Sequence, residues 1–159
     1  MDNLSSIFAR NCSARRIGKP EAAAFMSSNH RLGDATCRYR YGLFVERSTG
    51  SAEASFPPGT LAAVAEFSNA RRWNKGGRII SSYEWIRYAS LDGLRVTGGM
   101  SKLLQAFIDD VHPDDIMSYA DTDYPDGGEA YRKLGFAEEE IVSRPGFRNI
   151  KYRLKLTDW

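Results

Sequence analysis

Two adjacent glycines, Gly98 and Gly99, sit in the run Arg95-Val96-Thr97-Gly98-Gly99-Met100-Ser101-Lys102, just ahead of the strongest helical pattern in the chain. Glycines let a backbone come close to a ligand, and the unpaired N–H groups at a helix N-terminus, with the dipole behind them, favour a phosphate. The run is therefore a candidate anion cradle, with a simple turn as its alternative. Lys102 falls in the first helical turn, where a cation opposes the dipole by roughly 0.3–1 kcal/mol unless an anion is near or the side chain reaches solvent. Downstream, Ala130-Tyr131-Arg132-Lys133-Leu134-Gly135-Phe136 places a tyrosine on a short helix, a glycine at its end and a phenylalanine at the start of the next strand. Asp121 closes a short apolar strand, a place where an open α/β sheet carries ligand-binding groups and where a turn or capping aspartate is equally at home.

A second cluster is basic. Arg71, Arg72, Lys75 and Arg78 surround Trp73 in a polar stretch from Asn69 to Arg78. It reads as a solvated loop or, alternatively, as phosphate contacts with a stacking ring for a nucleic acid. His30 follows a helix, where a capping cation is the ordinary role. Cys12, Cys37, His30 and His112 show none of the close spacings of a zinc site or a disulfide framework, so no metal is expected and both thiols are read as reduced. The net charge of +2 does not announce a nucleic-acid binder. No apolar segment approaches the ~20 residues that span a bilayer, and no export signal is evident, so the reading is a cytoplasmic protein with no membrane partner.

These residues need elements to hold them. With 159 residues and 42% hydrophobic content the chain suits one compact domain over 1–159. A strand is expected from Ile7 to Ile17, and a helix from Pro20 to about Asn29. Strands follow at Cys37–Glu46 and Leu61–Phe67, the latter nearly all apolar and so central. A loop from Ser48 to Gly59 separates them, and the polar run Asn69 to Arg78 is a second loop. Ile79–Ser90 reads as a long strand. Leu103, Leu104, Phe107, Ile108 and Val111 then recur on one helical stripe that Pro113 ends. A strand Ile116–Ala120, a helix Gly127–Leu134 and two strands, Phe136–Ser143 and Phe147–Leu156, joined by Arg144-Pro145-Gly146, complete the chain. The crossover from Tyr83 through the helix to Ile116 makes two parallel neighbours.

Two of the segments resemble motifs of the GCN5-related N-acetyltransferase superfamily. Tyr131 to Phe136 is similar to its tyrosine, basic, leucine, glycine, phenylalanine signature, and Arg95 to Met100 to its Q/R-x-x-G-x-G/A pyrophosphate loop. The resemblance covers about Ala62 to Leu156. Met100 stands where that superfamily has glycine or alanine, Tyr124 where many members have a cofactor-holding asparagine, and little room is left for a second helix between Ser28 and Cys37. A narrower resemblance joins Tyr83-Glu84-x-x-Arg87 and Ser118-Tyr119-Ala120-Asp121 to the Mom family of phage DNA-modification proteins. The same segments, with Gly98-Gly99-x-Ser101-Lys102-Leu103, resemble an acetyltransferase-like domain of phage proteins.

The resemblance implies an α/β (α+β) fold, a mixed and splayed sheet of about seven strands flanked by three to four helices. It also implies acetyl-coenzyme A or another acyl-coenzyme A as cofactor. Ala89, Ser90, Arg95, Val96, Gly98, Gly99, Met100, Ser101, Lys102 and Tyr124 would hold it. Backbone N–H groups near Ala89 would polarise the thioester carbonyl while an amine attacks directly. Tyr131 would protonate the departing thiolate, unless its ring is simply core. Glu84, with Glu66 as rival, would take the proton of the amine, unless it pairs with an arginine such as Arg87. Asp121 is the third candidate for proton transfer. The acceptor is then a small-molecule or macromolecular amine. The alternatives are a Mom-like enzyme modifying a nucleic-acid base and a non-catalytic domain that binds coenzyme A or a nucleotide.

Overall fold

The protein is described from a computed structural model that covers residues 5–47, 56–121, 126–145 and 147–159. Contacts gather into two compact units, Met1–Phe67 with Arg87–His112, and Ser68–Ile86 with Pro113–Trp159. Among the described residues are ten strands and three α-helices, a mixed α/β architecture. Three short strands, β1, β5 and β7, are the excess over the seven that the sequence pattern suggests.

In the first unit, β1 (Ser5–Phe8), β2 (Cys12–Arg16), helix α1 (Lys19–Asn29), β3 (Tyr39–Val45) and β4 (Leu61–Phe67) precede the end of β6 (Arg78–Ser90), β7 (Leu94–Thr97) and α2 (Gly99–Val111). The single strand expected over Ile7 to Ile17 is instead broken by a 3-10 turn at Ala9–Asn11. The turn gives the two halves different partners: β1 runs parallel to β7, and β2 pairs antiparallel with β3. Pro20 sits in the first turn of α1, where its missing N–H costs nothing. Ala22, Phe25 and Met26 of that helix pack on Val64 and Ala89. β4 pairs antiparallel with β3 and is buried from Ala62 to Phe67, as an apolar run without alternation requires. The apolar stripe of α2 brings Phe107 onto Phe67, the two rings stacked nearly parallel with centroids 4.0 Å apart.

The second unit holds β5 (Arg71–Lys75), the first part of β6, β8 (Asp115–Asp121), α3 (Asp126–Lys133), β9 (Ala137–Arg144) and β10 (Phe147–Lys155). Here β6 pairs parallel with β8 from Ser82 to Glu84, as the crossover demands, and β10 lies antiparallel between β8 and β9. The stretch from Asn69 to Arg78, expected as a loop, is half of a hairpin. Lys75 pairs with Arg78 across Gly76-Gly77. Both glycines have positive φ, 60° and 89°, the requirement of a two-residue turn whose twist matches the strands, and Asn74 Oδ1 accepts the Gly77 N–H. Much of the expected Ser48–Gly59 loop lies outside the described residues. No helix among the described residues is long and apolar enough to cross a membrane.

Candidate active site

The cradle belongs to the first unit. Gly98 is the N-cap of α2 with φ 79°, a left-handed conformation that glycine adopts without penalty. Gly98 offers no side chain to cap this helix end and no acidic residue occupies its first turn, so the helix's own sequence supplies neither a capping side chain nor a carboxylate for its first N–H groups. That arrangement fits a pyrophosphate better than it fits a finished helix terminus. Gly99 is glycine for a packing reason: a Cβ there would stand 2.6 Å from the Tyr88 hydroxyl and 3.1 Å from Val96 Cγ1.

Lys102 does something the sequence does not announce. Its Nζ donates to the carbonyls of Ala9, at 2.9 Å, and Cys12, at 2.5 Å, so the ammonium ties α2 to the 3-10 turn. Two carbonyl partners answer the conflict between this cation and the helix dipole, without a phosphate. Arg95 and Val96 also lie apart from the helix terminus in sequence, in β7, where they face Ser6 and Ile7 of β1. Arg95 and Ser101 are exposed, and Val96 and Met100 half-buried.

Ala89 and Ser90, at the end of β6, line an open hollow of about 450 Å³ whose opposite wall is His30 and Arg31, after α1. Asn29 fixes that wall: its Nδ2 donates to the Phe25 carbonyl and its Oδ1 accepts the Asp92 N–H. His30 Nδ1 accepts the Leu32 N–H, a role that needs a neutral ring. Burial, then the charges of Arg87 and Arg31, lowers the pKa of His30 accordingly. The histidine therefore caps as a neutral acceptor and not as a cation.

Glu66 is fully buried at the end of β4. Its Oε1 and Asp34 Oδ1 are buried without an N–H or O–H donor, while Cys37 Sγ donates to Oε2 at 3.5 Å. A buried carboxyl beside a second one is disfavoured in its charged form. Burial foremost, then the hydrogen bond and charge of Asp34, pushes the Glu66 pKa up to about 7. The same site pushes the Cys37 thiol up to about 12, by burial and then by the Glu66 charge.

The second unit carries Tyr131. Gly135, with φ 96°, follows the end of α3; its N–H donates to the Arg132 carbonyl, and the Phe136 N–H donates to the Tyr131 carbonyl. Those two bonds form a Schellman cap, and the Tyr131 and Phe136 rings make the apolar contact that accompanies it, with centroids 5.4 Å apart. The spacing of tyrosine, glycine and phenylalanine is thus dictated by the way this helix stops. Trp85 and Tyr152 complete the box around the Tyr131 ring, at 6.0 and 5.7 Å.

The Tyr131 hydroxyl lies 2.7 Å from Ser118 Oγ, and the same Oγ is 2.9 Å from the Trp85 carbonyl. Burial raises the Tyr131 pKa; the hydrogen bond to Ser118 pulls it back and the charge of Glu84 raises it again. Glu84 is held by its backbone, its N–H donating to Ser68 Oγ and its carbonyl accepting the Ser68 N–H. Asp121 ends β8 opposite Asn149, and its side chain lies outside what is described. Tyr124 lies outside the described residues. The sequence assigns Ser118 no role, although it lies in the Ser118-Tyr119-Ala120-Asp121 motif; the alternation of a strand is the signal that could have put it on one face with Ala120.

Two members of the basic cluster are committed to their own unit. Trp73 Nε1 donates to Ser82 Oγ at 3.0 Å and its ring meets Trp159 edge-on at 4.9 Å. Arg78 pairs with Asp114 at 3.1 Å and also donates to Thr157 Oγ1 and the Asp158 carbonyl. Arg71, Arg72 and Lys75 are exposed.

No protein-family model and no curated protein matches the sequence. Solved structures do match. The structure of Arabidopsis thaliana NAA60 in complex with acetyl-CoA superposes with a TM-score of 0.68 at 7% identity, over 91% of this chain and 99% of that one. The NatC complex bound to Gag peptide and CoA gives 0.64 at 15%, over 92% and 99%. The ribosomal-protein-S18-alanine N-acetyltransferase from Escherichia coli gives 0.59 at 15%, over 93% and 96%. At such identities the likeness is one of backbone, and it extends over nearly the whole of each partner. The chain has the fold of the GCN5-related N-acetyltransferases.

Proposed function

We propose that residues 1–159 form an acyl-coenzyme A-dependent N-acyltransferase domain that moves an acetyl group from acetyl-coenzyme A to a primary amine by direct attack. The observation that carries the reading is Tyr131, a phenol with a raised pKa held by a rigid helix cap in a fold whose solved neighbours include complexes with CoA or acetyl-CoA. The uncapped N-terminus of α2, with Gly98 in the left-handed region, supports it by fitting a pyrophosphate. When bound, the coenzyme supplies an activated thioester whose carbonyl accepts a nucleophile.

The chain's residues do the rest. The N–H groups at the start of α2 would hold the pyrophosphate, and the backbone near Ala89 and Ser90, at the end of β6, would polarise the acyl carbonyl. Tyr131 would give its proton to the departing sulfur as negative charge develops there; because a thiolate is a weaker base than a phenolate, the transfer needs the phenolate to be stabilised where it forms. Glu84 is the candidate base, as a carboxylate whose charge already acts on Tyr131. Glu66 has the better tuned pKa, about 7, yet its side chain is fully buried beside Asp34 and Cys37, which fits a structural role. Lys102, committed to two carbonyls, is assigned to shaping the cradle and not to the coenzyme.

A peptide or small-molecule amine is the favoured acceptor, since Naa50 was solved with the bisubstrate analogue CoA-Ac-MVNAL and NatC with a Gag peptide. A nucleic-acid acceptor has exposed Arg71, Arg72 and Lys75 in its favour, but Trp73 and Arg78 are occupied. The test is calorimetric titration with coenzyme A and acetyl-coenzyme A, followed by a thiol-release assay against amine and peptide panels. Binding with acyl-dependent thiol release supports the reading. Absence of binding at millimolar coenzyme would overturn it.

A further inference from the structure

The motif Ser118-Tyr119-Ala120-Asp121 is left over once the cradle and Tyr131 have been assigned. Ser118, 1% exposed, touches two polar atoms: the Trp85 carbonyl oxygen at 2.9 Å and the Tyr131 hydroxyl at 2.7 Å. A serine has one O–H proton, and a carbonyl can only accept. Two arrangements are therefore available. In one, Ser118 donates to Trp85 and accepts from the Tyr131 O–H. In the other, Ser118 donates to the Tyr131 oxygen and the buried Trp85 carbonyl loses its side-chain donor. A neutral phenol, itself a donor, suits the first; a phenolate, which can only accept, demands the second.

We propose that Ser118 is a positioning residue for Tyr131, a hydroxyl rotor that accepts from the phenol at rest and turns to donate to the phenolate once its proton has gone. The inference rests on the reading of Tyr131 as the proton donor. The step balances without any further reactant. The sulfur–acyl bond breaks as the nitrogen–acyl bond forms; the thiolate takes the Tyr131 proton; Ser118 turns about its Cβ–Oγ bond from Trp85 to the phenolate. A proton lost by the attacking ammonium then returns to Tyr131 and Ser118 turns back. Over the cycle one ammonium and one thioester yield one amide, one thiol and one proton.

The arrangement is built for this. Ser118 comes from β8, Trp85 from β6 and Tyr131 from α3, the last fixed by its Schellman cap. The Tyr131 ring is hemmed by Trp85, Phe136 and Tyr152, so the oxygen stays within reach of Ser118 in both arrangements. Among the described residues, the charge that bears on it is that of Glu84, and Arg132 stands beyond the Tyr152 ring, donating to the Tyr152 hydroxyl at 2.9 Å.

The test reads Tyr131 directly. The protein is made with fluorotyrosine in place of tyrosine, because fluorination lowers the phenol pKa into a range the fold tolerates. The Tyr131 signal is assigned by its disappearance in Tyr131→Phe, and followed by fluorine NMR against pH. Ser118→Ala should make Tyr131 titrate about one pH unit higher or more, since the phenolate loses the Ser118 hydroxyl as a donor. Ser118→Cys, of nearly the same size and a weaker donor, should fall between the two and guards against a variant that does not fold. A serine that only stabilises the sheet would lower the melting temperature and leave the titration where it was, and that result overturns the proposal. Turnover separates this from the parent reading. If the wild-type protein transfers acyl groups, Ser118→Ala should lower kcat about tenfold or more with coenzyme affinity unchanged, as for loss of an interaction made only as charge develops. An unchanged kcat overturns the rotor even with a shifted titration. Failure of the wild type to bind coenzyme A overturns the parent reading and, with it, the rotor's catalytic role.

Discussion

A tyrosine hydroxyl gives up a proton only as readily as its surroundings receive the phenolate, and at Tyr131 burial and Glu84 oppose the phenolate while Ser118 favours it. Because the hydroxyl has a partner, Tyr131→Phe should cost roughly 0.5–1.5 kcal/mol of stability whatever the residue does in catalysis. Melting temperature alone thus cannot identify its role. Turnover can: a fall of about a hundredfold or more in kcat, with coenzyme affinity held, is expected for a lost general acid, and steady-state kinetics with a found acceptor would measure it. Glu66 makes a different statement. Its pKa of about 7 lies above the ordinary 4.5, so the protonated form is the one the folded state prefers. The stability that this preference contributes is complete below about pH 4.5 and is lost as pH rises to about 7, amounting to up to about 3 kcal/mol. Denaturant unfolding between pH 4.5 and 8 should show the decline, with Arg40 and Cys37 as the other ionisable neighbours, and Glu66→Gln should flatten it. Glu139 acts in a separate window. Arg153 chiefly, with Lys151, holds its pKa down to about 2, so its contribution is present above about 4.5 and lost as pH falls towards 2.

At the level of elements, the start of α2 and the end of α3 are the two termini on which the functional reading depends, and they are finished in opposite ways. α3 is closed by its Schellman cap, in which Gly135 adopts φ 96°. Gly135→Ala forces a side chain into the left-handed region and should cost about 1 kcal/mol or more, while displacing the Tyr131 carbonyl bond that sets the ring. α2 is open, and a charge placed there discriminates between a helix end and a binding site. Ser101 is exposed in the first turn. Ser101→Glu puts a carboxylate where the dipole welcomes it, which should stabilise the ligand-free protein by about 0.3–1 kcal/mol. The same carboxylate should repel a pyrophosphate and weaken coenzyme A by about tenfold or more. Opposite movements of unfolding free energy and calorimetric affinity in one variant are expected; a rise in both would place the coenzyme elsewhere.

Across the whole molecule, what could be read from sequence was what local periodicity controls. The apolar run Leu61–Phe67, the stripe of Leu103, Leu104 and Phe107, and the Tyr131-to-Phe136 helix stop each carry their own signal, and each stands where expected. The 3-10 turn at Ala9–Asn11 was not legible because the sheet partners of β1 and β2 are far along the chain. The hairpin at Gly76-Gly77 was missed because its strands are basic and exposed on one side, so charge masked a turn that two adjacent glycines mark. Nor could sequence foresee that Lys102 would spend its charge on two carbonyls, that Asp34 and Glu66 would share a site, or that Ser118 would stand between Trp85 and Tyr131. These are contacts between distant segments, set by topology. A ligand that binds across such segments only when they are folded reports on the molecule as a whole. If the cradle at Gly98 receives coenzyme A, the ligand binds the native state alone, and at a hundred times its dissociation constant it contributes about 2.7 kcal/mol. For a chain of 159 residues that is a rise of about 5–10 °C in melting temperature. Scanning calorimetry with acetyl-coenzyme A should show it, Ser101→Glu should diminish it, and Tyr131→Phe should leave it intact if, as proposed, the phenol acts on the departing sulfur and not on the pyrophosphate. A shift abolished by Tyr131→Phe and untouched by Ser101→Glu would reverse the assignment, making the tyrosine a binding group and the open helix end a bystander.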